Sequence, residues 1–372
     1  MKVIFIGTDR NIFKSSSAVQ RRFLDYGKLF EEVHLIVLSA KKDENKEFNL
    51  ASNIFVYPTN HLFKITYLWS IYKITKRIIK KIGREAIVSS QDPFETGLAA
   101  WLVKKIFKLS LQIQIHTDIL SPYFIKEFWI NHLRVYWAKF LIFQADRVRV
   151  VSFRILKSLS IPFTAISKFI VLPIYVENNC LKESTPSVNL HYKYPQFDKI
   201  ILMASRLTKE KNIILALEAF NELIKKYPKL GLVVVGSGPE ENKIKEKIKK
   251  DKLVDSVIVE KWSDNLTDYY KTADIFVLTS NYEGYCRTVI EAMICGLPIV
   301  MTDVGLANEI IIDNKNGLIV PVGDSKTLSS AISRLLYDTS LRESFIKKSE
   351  ETLRQLMTKE KYLELFKQSF II

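Results

Sequence analysis

Two glutamates eight positions apart, Glu283 and Glu291, lie in SNYEGYCRTVIEAMICGLPIVMTDVG, the segment whose residue types and spacing carry most chemistry. The apolar run before them ends near Ser280. A helix is expected to begin near Arg287 and to stop at Gly296, the residue type that tolerates a left-handed helix end, with Pro298 just beyond. Glu283 is therefore placed in a loop at the C-terminal end of a strand, and Glu291 one turn inside a helix. Eight residues of helix span about 12 Å, wider than the roughly 5–9.5 Å of a glycosidase acid/base pair, so the two carboxylates are expected to have separate roles. The first amides of that helix, on Arg287, Thr288 and Val289, form an anion site without any side chain. A carboxylate just ahead of them is placed to accept hydrogen bonds from sugar hydroxyls. In ASRLTKEKN, Arg206 and Lys211 stand five positions apart across a strand-to-helix turn. Two cations beside a helix N-terminus suit a diphosphate leaving group, whose negative charge grows as its bond breaks. Either cation alone is an ordinary surface residue.

The elements that must position these groups form two successive α/β patterns. The first has short apolar runs at Lys2–Ile6, Val33–Ser39, Ile54–Tyr57, Ala86–Ser90, Leu111–His116, Val148–Ser152 and Phe169–Glu177, with helix-length segments between them. A polar, Pro-containing stretch from Asn178 to Asp198 reads as a loop. The second has runs at Lys199–Ser205, Val257–Glu260, Ile275–Thr279, Pro298–Thr302 and Leu318–Val320, together with LGLVVVGSGPEE. The last reads as a buried strand, a Gly236/Gly238 turn and a helix with Pro239 at its first position. After Lys199–Ser205, Ile213, Leu217, Phe220 and Ile224 make one helical stripe. Strands alternating with helices imply parallel βαβ units. The expected fold class is therefore α/β, with two doubly wound Rossmann-like halves facing across a cleft and ligands beyond the strand C-terminal ends. The expected divisions are residues 1–175, 176–355 and a C-terminal helix, 356–372, returning to the first half.

Length and composition bound the class. The 372 residues are 48% apolar and 26% charged, which fits two folded domains and no disordered bias. Cys180, Cys286 and Cys295 have no disulfide or metal-ligand spacing and suit a reducing compartment. The apolar start MKVIFIG is too short for a signal peptide, and no run is long enough to span a bilayer, so a cytoplasmic location is expected. No Asp-x-Asp or His/Cys cluster occurs, so no metal and no cofactor is expected. The net charge of +15 is uneven: residues 1–172 hold 27 Lys and Arg against 13 Asp and Glu, a net of +14. Phosphorylated substrate, an anionic membrane surface and nucleic acid all fit such a half, as does a plain solvated basic face.

The motifs SRLTKEKN, VVGSGPE, YEGYCRTVIEAMICGLPIV and GLIVPVGD together resemble retaining GT-B glycosyltransferases of the family-4 type, the glycosyl transferases group 1. The resemblance is strong over about residues 199–337 and weaker over 1–172. It implies that Glu283 contacts the donor sugar, that Glu291 binds the nucleotide ribose, that Arg206 and Lys211 hold the diphosphate, and that Gly236 and Gly238 turn beside the nucleotide. It also implies that His116, at the end of an apolar strand, touches the donor sugar, although a satisfied structural histidine fits the same position. Asp118 is placed either to orient His116 or acceptor, or as a helix N-cap. Where the family carries paired N-terminal glycines near the donor phosphates, this chain has Ser16 and Ser17, each offering an amide and a hydroxyl. It also has Cys286 where many relatives have glycine, and Gly305-Leu306 where they have a glycine pair. The activity implied is transfer of a hexose-type sugar from a UDP- or GDP-linked donor, with retention and without metal, to a glycan or lipid-linked acceptor in polysaccharide biosynthesis. His34, His61, His132 and His191 lack partner spacing and read as structural or exposed.

Two basic segments bear on the acceptor. In residues 64–85, Ile65, Leu68, Ile71, Tyr72, Ile78, Ile79 and Ile82 share a side opposite Lys73, Lys76, Arg77, Lys80 and Lys81; residues 124–143 add aromatics and cations. Helices packed on a sheet account for both, and so does peripheral contact with an anionic leaflet. Two other functions fit the sequence: a GT-B nucleotide-sugar epimerase, and a non-catalytic basic protein binding membrane or nucleic acid. No recognised nucleic-acid module is present, so no nucleic-acid partner is expected.

Overall fold

The computed structural model describes residues 1–63, 66–177, 185–263 and 265–371. Cys180, Lys64 and Ile65 at the start of the first basic segment, and residues 178–184 of the expected loop lie outside them. The chain forms two units: Met1–Leu120 with Phe128–Pro173 and Thr358–Ile372, and Ser121–Glu127 with Ile174–Met357.

The first unit holds eight strands: β1 (Lys2–Gly7), β2 (Glu32–Val37), β3 (Phe48–Ala51), β4 (Ile54–Pro58), β5 (Ala86–Ser90), β6 (Ser110–Ile115), β7 (Arg147–Val150) and β8 (Phe169–Val171). Their order is β3-β4-β2-β1-β5-β6-β7-β8, and all pair parallel except β3 against β4. Its helices are α1 (Ala18–Gly27), α2 (Tyr67–Ile82), α3 (Glu95–Phe107), α5 (Ile130–Gln144), α6 (Phe153–Ser158) and α14 (Lys359–Gln368), and α4 (Pro122–Glu127) belongs to the second unit. A 3-10 turn, Arg10–Phe13, precedes α1.

In the second unit, β9 (Lys199–Ala204), β10 (Leu230–Val235), β11 (Val257–Glu260), β12 (Ile275–Leu278), β13 (Ile299–Thr302) and β14 (Leu318–Val320) form a wholly parallel sheet in the order β11-β10-β9-β12-β13-β14. Besides α4, its helices are α7 (Leu190–Lys193), α8 (Ile213–Lys226), α9 (Glu241–Lys250), α10 (Thr267–Thr272), α11 (Arg287–Ile294), α12 (Ser325–Tyr337) and α13 (Thr339–Arg354). All six residues of β10 are buried, which is why LGLVVV reads as a continuous apolar run rather than an alternation. The stripe Ile213, Leu217, Phe220 of α8 is buried in the core that also takes Val234 and Ile275.

Both sheets reverse their order beside their first strand, between β1 and β5 and between β9 and β12. Loops leaving the C-terminal ends diverge there, which opens the crevice that ligands use in such sheets.

Helix α14 is anchored on the first unit. Phe366 is fully buried and stacks on Tyr26 with ring centroids 4.0 Å apart, and Phe370 meets Phe5 edge-on. The hydroxyls of Tyr26 and Tyr362 lie 2.9 Å apart, and the Gln112 amide donates to Ser369 O at 2.7 Å. Arg149 on β7 is buried among neutral oxygens: it donates to Leu172 O (3.2 Å), Gln114 Oε1 (2.9 Å), Pro173 O (3.1 Å) and the Tyr362 hydroxyl (3.3 Å). A buried cation without a carboxylate is tolerable only when its donors are all satisfied, and the Phe366 ring 5.3 Å from the guanidinium adds to that.

Candidate functional site

The chemistry-bearing residues of the second unit gather at the C-terminal ends of β9, β10, β12 and β13. The loop after β9 runs Ser205–Asn212 and the loop after β12 runs Thr279–Cys286, and hydrogen bonds lash the two together. The Thr279 hydroxyl donates to Lys211 O at 2.9 Å, Asn281 N to Glu210 O at 2.7 Å, and the Asn281 side-chain amide to Lys209 O at 3.0 Å. This brings Lys211 onto Glu283: its buried ammonium donates to Glu283 Oε1 at 2.5 Å and to Glu210 Oε1 at 2.7 Å. Ser280 Oγ donates to the same Glu283 oxygen at 2.7 Å. Burial alone pulls the Lys211 ammonium down, but the carboxylates of Glu283 and Glu210 outweigh it and hold it above its ordinary value. Arg206, whose side chain is 68% exposed, donates to Glu210 Oε2 at 2.9 Å. Glu210 thus bridges both expected diphosphate cations. It did not figure in the reading of the sequence, where its position four after Arg206 and one before Lys211 was the available signal. The four side chains carry no net charge together.

Helix α11 begins where expected, at Arg287, behind Cys286 at a φ of +72°, a left-handed conformation that a non-glycine residue rarely adopts. One reading is corrected here: the Val289 amide already donates to Cys286 O at 3.1 Å, so the first-turn amides left are those of Arg287 and Thr288, which have no acceptor among the described residues. Glu291, one turn in, accepts from the Tyr270 hydroxyl at 3.0 Å and from Arg287 at 3.1 Å. Burial, with the Glu291 charge, pushes the Tyr270 hydroxyl well above its ordinary value, so it stays a donor. Beyond β13, Gly305 takes a φ of +52°; a Cβ there would stand 2.4 Å from Cys286 Sγ and 3.0 Å from Glu283 Cβ. Gly305 and Cys286 therefore share one packing volume under the Glu283 loop.

Gly236 and Gly238 end β10 against the backbone that leads to Arg206. A Cβ on Gly236 would meet Ser205 O at 1.9 Å, and one on Gly238 would meet Leu207 O at 2.3 Å. That close approach of two chains is why glycine stands at both positions. It also corrects the helix start: Glu240 N bonds Leu207 O, so the Gly238-Pro239-Glu240 turn stays on the neighbouring loop and α9 starts at Glu241 rather than at Pro239. Helix α4 seals one side: the Tyr282 hydroxyl donates to the Glu127 carboxylate, and Phe124 packs edge-on against the Tyr282 ring.

In the first unit, His116 follows β6 and is partly buried, with Nε2 3.2 Å from Gln114 Oε1. That oxygen is an acceptor only, so the network assigns the ring proton to Nε2. Burial, reinforced by Arg149 and Arg22, pulls His116 down to about 3, so the ring is neutral at physiological pH. Asp118 accepts from Ser158 Oγ at 3.2 Å, and since α4 begins four residues later at Pro122, Asp118 is not its N-cap. Ser16 and Ser17 depart from the expected phosphate cradle. Ser16 N donates to Gln20 Oε1 (3.0 Å), Ser17 N to Lys14 O (3.3 Å), and Ser17 Oγ caps α1 through Gln20 N (3.2 Å). With both amides engaged, the two hydroxyl protons are what remains of that offer. Beyond the C-terminal ends of β1, β2, β4 and β5 lies a cavity of about 530 Å³ lined by Asp9, Arg10, His61, Tyr67, Glu95 and Arg134 among others. His61, read as structural or exposed, lines that pocket. Its cations are already paired, Arg10 with Asp43 (3.1 Å) and Arg134 with Glu95 (2.5 Å). Of the other histidines, His34 is buried against Tyr57 and Glu32, His191 pairs with Asp274 at 3.1 Å and His132 is exposed.

Comparison with known proteins adds a family likeness over part of the chain. Residues 192–352 match the model of the glycosyl transferases group 1. The poly(glycerol-phosphate) alpha-glucosyltransferase of Bacillus subtilis is 32% identical over 145 residues, 39% of this chain and 22% of that protein. The lipopolysaccharide core biosynthesis mannosyltransferase LpsB of Rhizobium meliloti is 29% identical over 209 residues, 54% of this chain and 58% of that protein. The match thus spans well under two thirds of these relatives' own length. Among solved structures, a sucrose-phosphate synthase from Thermosynechococcus elongatus superposes with a TM-score of 0.81 over 99% of this chain and 98% of that one at 19% identity. Anabaena Alr3699/HepE in complex with UDP and glucose does so with a TM-score of 0.79 over 99% of both chains at 17% identity. The chain has the GT-B fold, and its residues 192–352 are similar to the glycosyl transferases group 1.

Proposed function

We propose that this chain is a retaining, metal-independent glycosyltransferase that moves a hexose-type sugar from a UDP- or GDP-linked donor to a glycan or lipid-linked acceptor. The observation that carries the proposal is the cluster Arg206–Glu210–Lys211–Glu283 beside the unacceptored amides of Arg287 and Thr288. It sets two cations and a helix N-terminus for a diphosphate next to a buried carboxylate for sugar hydroxyls. Anabaena Alr3699/HepE is solved with UDP and with UDP-glucose, S. aureus TarM with UDP, and the R. meliloti relative is named for lipopolysaccharide core biosynthesis, which supports a nucleotide donor and a glycan-type acceptor.

In the reaction, the acceptor oxygen bonds to the anomeric carbon as the bond from that carbon to the phosphate oxygen breaks. The acceptor proton passes to the leaving phosphate on the same face, which preserves configuration. Arg206, Lys211 and the α11 amides take up the charge that develops on the diphosphate. Glu283 holds the sugar hydroxyls and Glu291 the ribose.

Calorimetric titration of UDP, GDP and ADP in chelator, on the native chain and on Arg206→Ala and Glu291→Ala, tests the reading. Binding of one nucleotide, weakened in both variants by roughly 2–3 kcal/mol for each charge-assisted contact, supports it. Absence of binding to all three, with or without magnesium, refutes it. With the donor so named, product analysis separates transfer to an acceptor from epimerisation of the donor itself.

A further inference from the structure

The two basic segments differ in what they bury. Helix α2 turns Ile71, Ile78 and Ile82 into the core, so its apolar stripe is consumed by packing on the sheet. Helix α5 buries Asn131, Val135, Ala138, Leu141 and Ile142, yet its outer side is also apolar. Trp129, Leu133, Tyr136, Phe140 and Phe143 follow at i, i+4, i+7, i+11 and i+14, one continuous stripe. All five are exposed, Trp129 at 81%, Tyr136 at 70%, Phe143 at 54% and Leu133 at 50%. A surface helix ordinarily carries polar residues there, and an apolar exposed stripe of this extent marks a contact surface.

The chemistry of the stripe selects the partner. From Phe128 to Ala145 there is no Asp or Glu. Lys139 is exposed beside Phe140. At the far end Lys168 donates to Ile142 O and Phe143 O, both at 3.0 Å, and so sets a cation beside the Phe143 ring. Trp and Tyr pair an apolar ring with a polar tip and favour the boundary between acyl chains and headgroups, while the cations meet anionic headgroups. Among the described residues no helix is long and apolar enough to cross a membrane. We infer that the outer face of α5 is a docking surface for an anionic lipid bilayer, along which the helix lies in the headgroup plane. The inference extends the lipid-linked part of the function proposed above, but its test needs neither donor nor acceptor, so either can fail alone.

The full-length chain is sedimented with vesicles of phosphatidylcholine alone and with vesicles containing about a third phosphatidylglycerol. Binding to the anionic vesicles, with tryptophan emission quenched by brominated acyl chains and less so in Trp129→Phe, is the expected result. A Trp129→Glu/Tyr136→Glu variant, altered only at exposed positions, is expected to bind at least about tenfold more weakly. Tyr192→Glu, at an exposed tyrosine of α7 in the second unit, is expected to bind unchanged. The inference is overturned if anionic vesicles do not retain the chain, if native emission is not quenched, if Tyr192→Glu weakens binding as much, or if sedimentation velocity shows the stripe joining two copies of the chain instead.

Discussion

Glu210 is the residue whose replacement most directly tests the electrostatics of the nucleotide site. It bridges Arg206 and Lys211, so the cations expected to meet a diphosphate are neutralised before any ligand arrives. Glu210→Gln keeps the shape and one acceptor oxygen but removes the charge. Lys211 retains Glu283 at 2.5 Å, and Arg206, largely exposed, loses an i,i+4 pair worth about 0.3–0.5 kcal/mol. Folding stability should therefore fall by only about 1 kcal/mol. Binding should move the other way. A carboxylate about 6 Å from a phosphate, at an effective dielectric constant of about 40, repels each unit of charge by about 1.4 kcal/mol, or about tenfold in affinity. Calorimetry should show the preferred nucleoside diphosphate binding Glu210→Gln up to tenfold more tightly at low salt, with the gain shrinking as salt is raised. Weaker binding by the variant, at unchanged stability, would refute the reasoning and make Glu210 a holder of the cations rather than a competitor for them.

Three further outcomes follow from the geometry. His116 is held at about 3 in the folded chain against 6.5 when unperturbed, so the unfolded state binds the extra proton between those values. Its contribution to stability is present above about pH 6.5 and is lost as pH falls toward 3, at up to about 1.4 kcal/mol per unit; denaturation of His116→Gln across that window should show a flatter acid limb, and an unchanged limb would sink the assignment. The same shift means that His116 adds no inflection to an activity profile between pH 5 and 8. Gly305→Ala should cost about 2–3 kcal/mol, combining left-handed backbone strain with the clash on Cys286 Sγ. In a Cys286→Gly background that cost should drop to about 1 kcal/mol, and a urea double-mutant cycle returning additive values would show that the two residues do not share a packing volume.

Much of this was readable before any coordinates. Short apolar runs bounded by polar residues mark strand limits, and Ala86–Ser90, Val257–Glu260 and Leu318–Val320 match the expected limits residue for residue. Strand β3 was missed because FNLA is a short antiparallel edge without that signature. The end of α11 was legible from Gly296, with Pro298 just beyond it, but nothing in YCR announces a cysteine at a φ of +72° at its start. Whether Ser16 and Ser17 keep their amides free depends on Gln20 and Lys14 folding back on them, a local contest that residue types do not decide. Helix α5 shows the limit of periodicity most directly. When both sides of a helix are apolar, the pattern cannot say which one the core takes, and only the burial of Val135, Ala138 and Ile142 answers it.

The anchoring of α14 has a consequence for how the chain comes into being. Tyr362, Phe366, Ser369 and Phe370 complete the aromatic cluster of Phe5, Tyr26 and Phe30 and satisfy Gln112 and Arg149. During synthesis these partners emerge first and wait while residues 174–357, nearly all of the second unit, are translated. At about 5–20 residues per second that interval lasts on the order of ten seconds or more. The second unit has its segments in hand before the first can close, so the half made first is the half finished last. For that interval a buried guanidinium and a patch of phenylalanines stay without their lid, and the nascent chain is most open to aggregation and to chaperone capture then.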